Sequence, residues 1–315
     1  MNSKLLFFLL LLTCCKLSAQ EQDLSQFIQS DSIEKDTEPV YATFKSTRIV
    51  NGRSNETVKK SELDLVISHR FGDAGGHYGG IKTFFGTDNA SDVKVALDYG
   101  LTNKWSVGVS RTKGATAIRE LYEANSKFKL LEQTQKNRIP FSITLFGNAV
   151  MSAMTSNVNP TVPDHFDRFA DRWSFVGQMI LTKKINSNYS VAVSPTYVHY
   201  NRVGHGDTND HFALGFGARA KLTKRLALIA DYFYHFKTGN RDAFFSSNGL
   251  NFYNPLAAGI EIETGGHVFQ ITFMNSTALL ENQFVPYTTT TWEKGQFRWG
   301  FSISRPFALG KKKAK

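Results

Sequence analysis

Histidines and carboxylates cluster in one polar stretch, HYNRVGHGDTNDH, which holds His199, His205, Asp207, Asp210 and His211. Imidazole and carboxylate groups together suit a divalent transition metal. Their spacing matches no defined metal site, and polar loops collect such residues without any metal. We therefore keep the three histidines as weak metal candidates, assign no metal, and predict no cofactor.

A second stretch, GTDNASD, offers calcium-type oxygen ligands at Asp88, Asn89 and Asp92. It lacks the complete set of ligands that a calcium loop supplies. A turn before a strand explains these residues as well.

A serine and histidine pair on a barrel wall is the main enzyme alternative. Ser68 and His69 are neighbours, and neighbours in a strand point to opposite faces. His267 with a serine across the sheet stays open, although the chain has no Gly-x-Ser-x-Gly turn of the kind that hydrolases use. We predict no enzyme and assign no catalytic residue.

The stretch ETGGHVFQITFMNS places His267 directly after Gly265 and Gly266. Apolar and polar side chains alternate from Phe269 to Phe273, which is the period of a strand between two environments. Two glycines permit the positive-φ conformations of a tight turn. We interpret this motif as structural, with the imidazole at the rim of a membrane.

The chain begins MNSKLLFFLLLLTCCKLSAQ, with Lys4, an apolar run over 5–12 and small residues up to Ala19. This pattern is typical of a secretory signal peptide, cleaved near Ala19 after Sec export. The run is shorter than the roughly 20 residues of a transmembrane helix. Cys14 and Cys15 both lie in this segment, so the cleaved chain has no thiol chemistry. Acylation of Cys15 is a lesser alternative.

The formal charge is +10, and loss of Lys4 and Lys16 leaves +8. Basic residues are interleaved with acidic ones, so an exported chain of this kind indicates no nucleic-acid partner. Hydrophobic residues make up 41% of the chain, and the mean hydropathy of −0.27 excludes a membrane helix bundle.

Twelve segments alternate apolar and polar residues with the period of a strand. Short turns alternate with mostly longer polar loops between them, as in an outer-membrane barrel. Aromatic residues such as Trp105, Tyr189 and Trp299 fall near strand ends, which favours a membrane barrel over a soluble sandwich. The predicted strands span residues 61–71, 92–101, 104–111, 119–132, 139–150, 169–183, 189–200, 210–222, 225–236, 255–263, 267–274 and 296–307.

Polar side chains opposite the apolar face are predicted to line the lumen, and they carry both signs of charge. Such groups must pair or keep water, so the lumen is either a salt-bridged plug or a wet pore. The predicted lumen residues are Glu62, Asp64, Arg70, Lys94, Asp98, Glu123, Lys127, Lys129, Gln178, Arg219, Lys221, Asp231, His235, Glu261 and Gln270.

Three stretches resemble the domain-of-unknown-function 5777 family of bacterial outer-membrane β-barrel proteins. They are TRIVNGRSNETVKKSELDLVISHRFGD (47–73), DNASDVKVALDYGLTNKWSVGVSR (88–111) and GIEIETGGHVFQITFMNS (259–276). The resemblance covers residues 47–307 and implies a Gram-negative outer-membrane barrel without an established activity. The last strand resembles the C-terminal strand by which the assembly machinery recognises outer-membrane barrels, although the basic tail ALGKKKAK follows it.

The prediction is an all-β chain forming an antiparallel transmembrane β-barrel of about 12 strands, with short periplasmic turns and long external loops. It consists of a signal peptide (1–19), a loose polar periplasmic segment (20–60), the barrel (61–307) and a basic tail (308–315). Expected partners are outer-membrane lipid, the assembly machinery and an exported protein. The favoured function is a pore for small solutes or a docking component. The alternatives are a plugged structural or partner-binding barrel and, after it, an outer-membrane hydrolase.

Overall fold

The computed structural model describes residues 38–309, which form one closed antiparallel barrel of twelve strands. Each strand pairs with the next along the chain, and β1 pairs with β12 to close the ring. The fold class predicted from the alternation is therefore confirmed. The predicted signal peptide and residues 310–315 of the predicted tail lie outside the described residues. The strands are β1 Glu62–Asp73, β2 Ala90–Gly100, β3 Trp105–Thr112, β4 Leu121–Leu131, β5 Ser142–Ser152, β6 Trp173–Lys184, β7 Tyr189–Tyr200, β8 Asp210–Lys221, β9 Leu226–His235, β10 Leu256–Thr264, β11 His267–Met274 and β12 Arg298–Ala308.

Strand limits follow the alternation closely, and β7 and β11 begin and end where the sequence predicts. The start of β6 differs, because residues Phe169–Arg172 form a short 3-10 helix before it. The backbone N–H of Arg168 donates to Asp171 Oδ2 at 2.9 Å and fixes this turn. A strand start at 169 is therefore wrong by four residues, since residues 169–172 take a helical conformation and not an extended one.

The outer face of the barrel is a belt of exposed apolar side chains. Ile271 is 45% exposed, whereas its neighbour Gln270 points inward and is 4% exposed. A closed wall that is apolar outside and polar inside is what a barrel in lipid requires. Trp105 and Tyr189 lie at one end of this belt, and Trp173 lies at the other.

The turns of two to four residues all lie at one end of the barrel, here called the short-turn end, together with the ten-residue β4–β5 connection. The remaining connections lie at the other end, the loop end. Two helices belong to the loops: α1 (Gly239–Ser247) between β9 and β10, and α2 (Glu281–Tyr287) between β11 and β12. Among residues 38–309, none of the helices combines the length and the hydropathy that a membrane crossing requires.

The Gly265-Gly266 motif forms a two-residue turn between β10 and β11. The backbone N–H of Gly266 donates to the carbonyl oxygen of Thr264, so the turn closes over three residues. Neither glycine has a positive φ, so the turn does not use the left-handed conformations that glycine permits. His267 begins β11 and stacks on Phe269, with 5.7 Å between the ring centroids.

Candidate functional site

Residues 42–58 enter the barrel from the short-turn end and form a tight turn inside it; we call them the inner hairpin. Ile49 N–H donates to Gly52 O at 2.8 Å, Ser54 N–H donates to Thr47 O at 3.2 Å, and Phe44 is buried. The sequence predicts a loose periplasmic segment over 20–60, and for this part the prediction is wrong. The few apolar residues of this segment give no periodic signal, because they pack on wall residues that are distant in sequence. Residues 20–37 lie outside the described residues.

A second segment, residues 276–291, descends from the loop end and carries α2; we call it the inner loop. Leu279 N–H donates to Asp92 Oδ2 at 2.8 Å, and Asn282 Nδ2 donates to Ser174 Oγ at 2.8 Å. The hydroxyl of Tyr200 donates to the carbonyl oxygen of Asn282. The inner loop is thus fixed to the wall by inward side chains of β2, β6 and β7.

The two segments meet at five buried charges, here called the charge network: Arg48, Arg53, Lys94, Glu123 and Glu281. Glu281 Oε1 lies 2.7 Å from Arg53 Nε and 3.3 Å from Arg48 Nη2. Glu123 Oε1 lies 2.9 Å from Arg53 Nη2, and its Oε2 lies 2.5 Å from Lys94 Nζ. Burial alone would raise the pKa of the Glu281 carboxyl, but Arg48 and Arg53 outweigh burial and hold it below its usual value. Charges removed from water are tolerated only when paired in this way.

The turn of the inner hairpin is held by Asp231 of β9. Its carboxylate accepts the backbone N–H groups of Val50 (3.0 Å) and Gly52 (2.8 Å) and the side-chain amide of Asn51 (3.0 Å). Opposite it, Lys127 Nζ donates to the carbonyl oxygens of residues 47, 54 and 56 at 2.9–3.1 Å. One acid and one base of the wall therefore satisfy two N–H groups and three carbonyl groups of the hairpin backbone.

The inner hairpin approaches the wall closely at a wall residue that has no side chain. A Cβ at Gly217 of β8 would overlap Ile49 of the inner hairpin. The missing side chain at this position therefore leaves room for the chain inside.

All of the predicted lumen residues lie on the inward parity of their strands. Glu62, Lys129, Arg219 and Lys221 are half-buried near the short-turn end, and the remaining ones are buried. Several pair with each other or with the hairpin: Arg219 Nε lies 2.8 Å from Glu261 Oε1, and Gln270 Nε2 donates to Ile49 O at 3.1 Å. These contacts place segments of the chain itself inside the barrel, against the polar side chains of the wall.

The weak metal candidates do not come together. His199 faces outward and lies 2.8 Å from Asp210 Oδ1, His205 lies on a loop, and His211 is buried in the lumen, with its ring centroid 5.4 Å from that of His235. Alternation along β7 and β8 sends them to opposite sides of the wall. Within residues 38–309, no cluster of three or more His, Cys, Asp or Glu side chains could hold a metal ion.

The other candidate pairs are also separated. Asp88 is exposed on its loop, whereas Asp92 is buried and accepts Gly114 N–H at 2.8 Å. Ser68 points inward, where its hydroxyl lies 2.9 Å from that of Ser302. His69 points outward, and its ring stacks on that of Phe301. Neither the two aspartates nor the Ser68 and His69 pair is therefore directed at a common point.

The loop end carries a cavity of about 450 Å³ above the inner loop, lined by residues of four loops and of the inner loop itself. Its wall includes His205, Phe252 and Tyr287. Sequence reasoning misses this cavity and the charge network, because both depend on loops whose paths carry no periodicity.

Several solved membrane-protein structures are similar to this chain at low sequence identity. The KdgM porin is 9% identical, with 78% of this chain and 99% of that chain covered and a TM-score of 0.45. An outer membrane channel from Pseudomonas putida F1 is 12% identical, with 80% and 98% covered and a TM-score of 0.47. An active-site mutant of outer membrane phospholipase A from Escherichia coli is 14% identical, with 81% and 93% covered and a TM-score of 0.43.

No curated protein is similar to the chain at a significant level. Its sequence does match one family over most of its length. Residues 44–307, which run from the inner hairpin to the last strand, match the family described as a membrane bound beta barrel domain, DUF5777. The chain belongs to this family of membrane-bound β-barrels.

Proposed function

We propose that the protein is an outer-membrane barrel closed by its own chain, and that it binds a ligand or an exported partner at its loop end. The observation that carries this proposal is the filled lumen: the inner hairpin and the inner loop meet at the charge network. The apolar belt and the signal-like N-terminus support the location in the outer membrane.

An open pore is the weaker alternative because the inward polar groups are engaged by the chain itself. Asp231 and Lys127 bind the inner hairpin, while Asp92 binds the inner loop. Charged groups in a conducting lumen would instead be hydrated. A gated pore is a second candidate, because much of the hairpin is held by hydrogen bonds and ion pairs, which water and salt ions can replace.

The test is single-channel recording of residues 20–315 in a planar bilayer. We expect the wild-type protein to insert without steady current, because the two inner segments block the lumen. A variant that lacks residues 43–57 and has residues 278–288 replaced by a glycine-serine linker should conduct steadily.

A matched control replaces residues 157–160, which are exposed at the loop end, by glycine and serine, and it should stay silent. Heat-dependent gel migration verifies that each variant is folded. Steady wild-type current at equal insertion would overturn the closed barrel and favour the pore.

A further inference from the structure

The loop-end cavity lies between the ends of loops that are far apart in sequence. Ile118, Pro163 and Leu250 come from three loops, while Tyr287 comes from the inner loop. A volume of about 450 Å³ falls within the range of pockets that hold small molecules. The cavity lies above the inner loop and is lined by loop residues, whereas the apolar belt lies on the outer face of the strands.

The residues that line the cavity present mainly apolar surface. Ile118, Pro163, Leu250 and Phe252 supply apolar surface, and threonine side chains supply most of the polar groups among the lining residues. An apolar wall with a few hydroxyl groups favours a ligand that is largely apolar and makes one or two hydrogen bonds.

The charge at the cavity wall is neutralised internally. Among the described lining residues, Asp207 is the only carboxylate, and its Oδ1 lies 2.5 Å from Arg241 Nε. The Arg241 side chain is fully buried, and its Nη2 donates to Pro286 O at 2.9 Å. A ligand with a formal charge would lose its hydration here without gaining a free counter-charge.

The cavity is also shaped before any ligand binds. The Arg241 guanidinium carbon lies 4.1 Å from the ring centroid of Phe252 and 5.5 Å from that of Tyr287. This buried cation joins the β9–β10 loop to the inner loop through contacts with both aromatic rings. A preformed wall reduces the ordering cost of binding.

We propose that the loop-end cavity is a binding site for a neutral, largely apolar small molecule. The site names the ligand class of the proposed binding barrel and rests on that function. Tyr287 forms part of the wall and also ends α2, the helix that begins with Glu281. A bound molecule would therefore contact the same segment that holds the inner hairpin.

The test uses two fluorescent probes that differ in charge, with the protein in lipid nanodiscs and empty nanodiscs as background. N-phenyl-1-naphthylamine is neutral, and 8-anilino-1-naphthalenesulfonate adds a sulfonate to the same ring system. We expect saturable binding of the neutral probe and binding of the sulfonate that is weaker by about tenfold or more.

Ala117 lines the cavity, so Ala117→Trp should fill it and weaken binding of the neutral probe by about tenfold or more. Leu250→Trp is the second blocking variant in case the first does not fold. Val158→Trp is the matched control, because Val158 is 94% exposed and does not line the cavity. It should bind like wild type.

Absence of saturable binding, equal affinity for both probes, or unchanged binding in both folded blocking variants would overturn the site. The two proposals fail separately. Steady wild-type current with intact probe binding overturns closure alone, whereas a silent barrel that binds no probe overturns the cavity site alone.

Discussion

Glu281 is the residue on which the two inner segments depend most directly. It has no exposed side-chain surface, and it contacts both arginines of the inner hairpin. Removing one partner of a buried ion pair leaves the other charge without compensation, which costs more than the pair itself contributes. Nothing in the sequence indicates this role, since Glu281 lies in a predicted external loop without periodicity.

Glu281→Gln should lower the free energy of unfolding by about 3–5 kcal/mol. The remaining carboxylate of the network, Glu123, would then face three cations alone. Denaturant unfolding of the protein in lipid vesicles measures the change.

Glu263→Gln is the control, because Glu263 pairs with Lys45 at 2.5 Å at a partly exposed position. Loss of this ion pair should lower the free energy of unfolding by less than about 1 kcal/mol. Equal losses in the two variants would contradict a special role for the charge network.

The strands could be predicted from the sequence, because each one separates lipid from a polar lumen and the alternation records both environments. The inner hairpin and the inner loop could not be predicted, because most of each segment is buried among residues that are distant in sequence. Phe44 and Ile49 pack on wall residues that are distant in sequence, such as Ala192 and Ile229. No local pattern carries that information.

Ile271→Arg should lower the free energy of unfolding in lipid vesicles by about 2–4 kcal/mol, because it places a charge on the lipid face of β11. Folding yield and denaturant titration measure this cost. Val158→Arg makes the same type of change on an exposed loop and should be nearly silent. If Ile271→Arg is also silent, the belt does not meet lipid. Gln270→Arg does not serve as a control for this substitution, because Gln270 donates a hydrogen bond to Ile49 of the inner hairpin and its replacement would remove that contact.

The two ends of the whole molecule differ in loop length, and this difference predicts its orientation in the membrane. Short turns of outer-membrane barrels face the periplasm and longer loops face the outside. Both cysteines of the chain lie at positions 14 and 15, inside the predicted signal peptide. Single cysteines introduced elsewhere would therefore report one site each.

Val158→Cys at the loop end should react with a membrane-impermeant maleimide in intact cells. Tyr41→Cys lies at the short-turn end, where Tyr41 is 71% exposed, and should react only after the outer membrane is permeabilised. Labelling of Tyr41→Cys alone in intact cells would mean the reverse orientation, and labelling of neither would place the barrel elsewhere.

The position of the two inner segments along the chain bears on how the barrel assembles. The inner hairpin directly precedes β1, and the inner loop directly precedes β12, and these are the strands whose pairing closes the ring. The closing seam therefore has one filling segment on each side, and Arg53 and Glu281, which are 228 residues apart in sequence, join these two segments. Contacts between such distant residues form slowly. We therefore expect ring closure and filling of the interior to be coupled in folding, because the two filling segments flank the strands that close the ring.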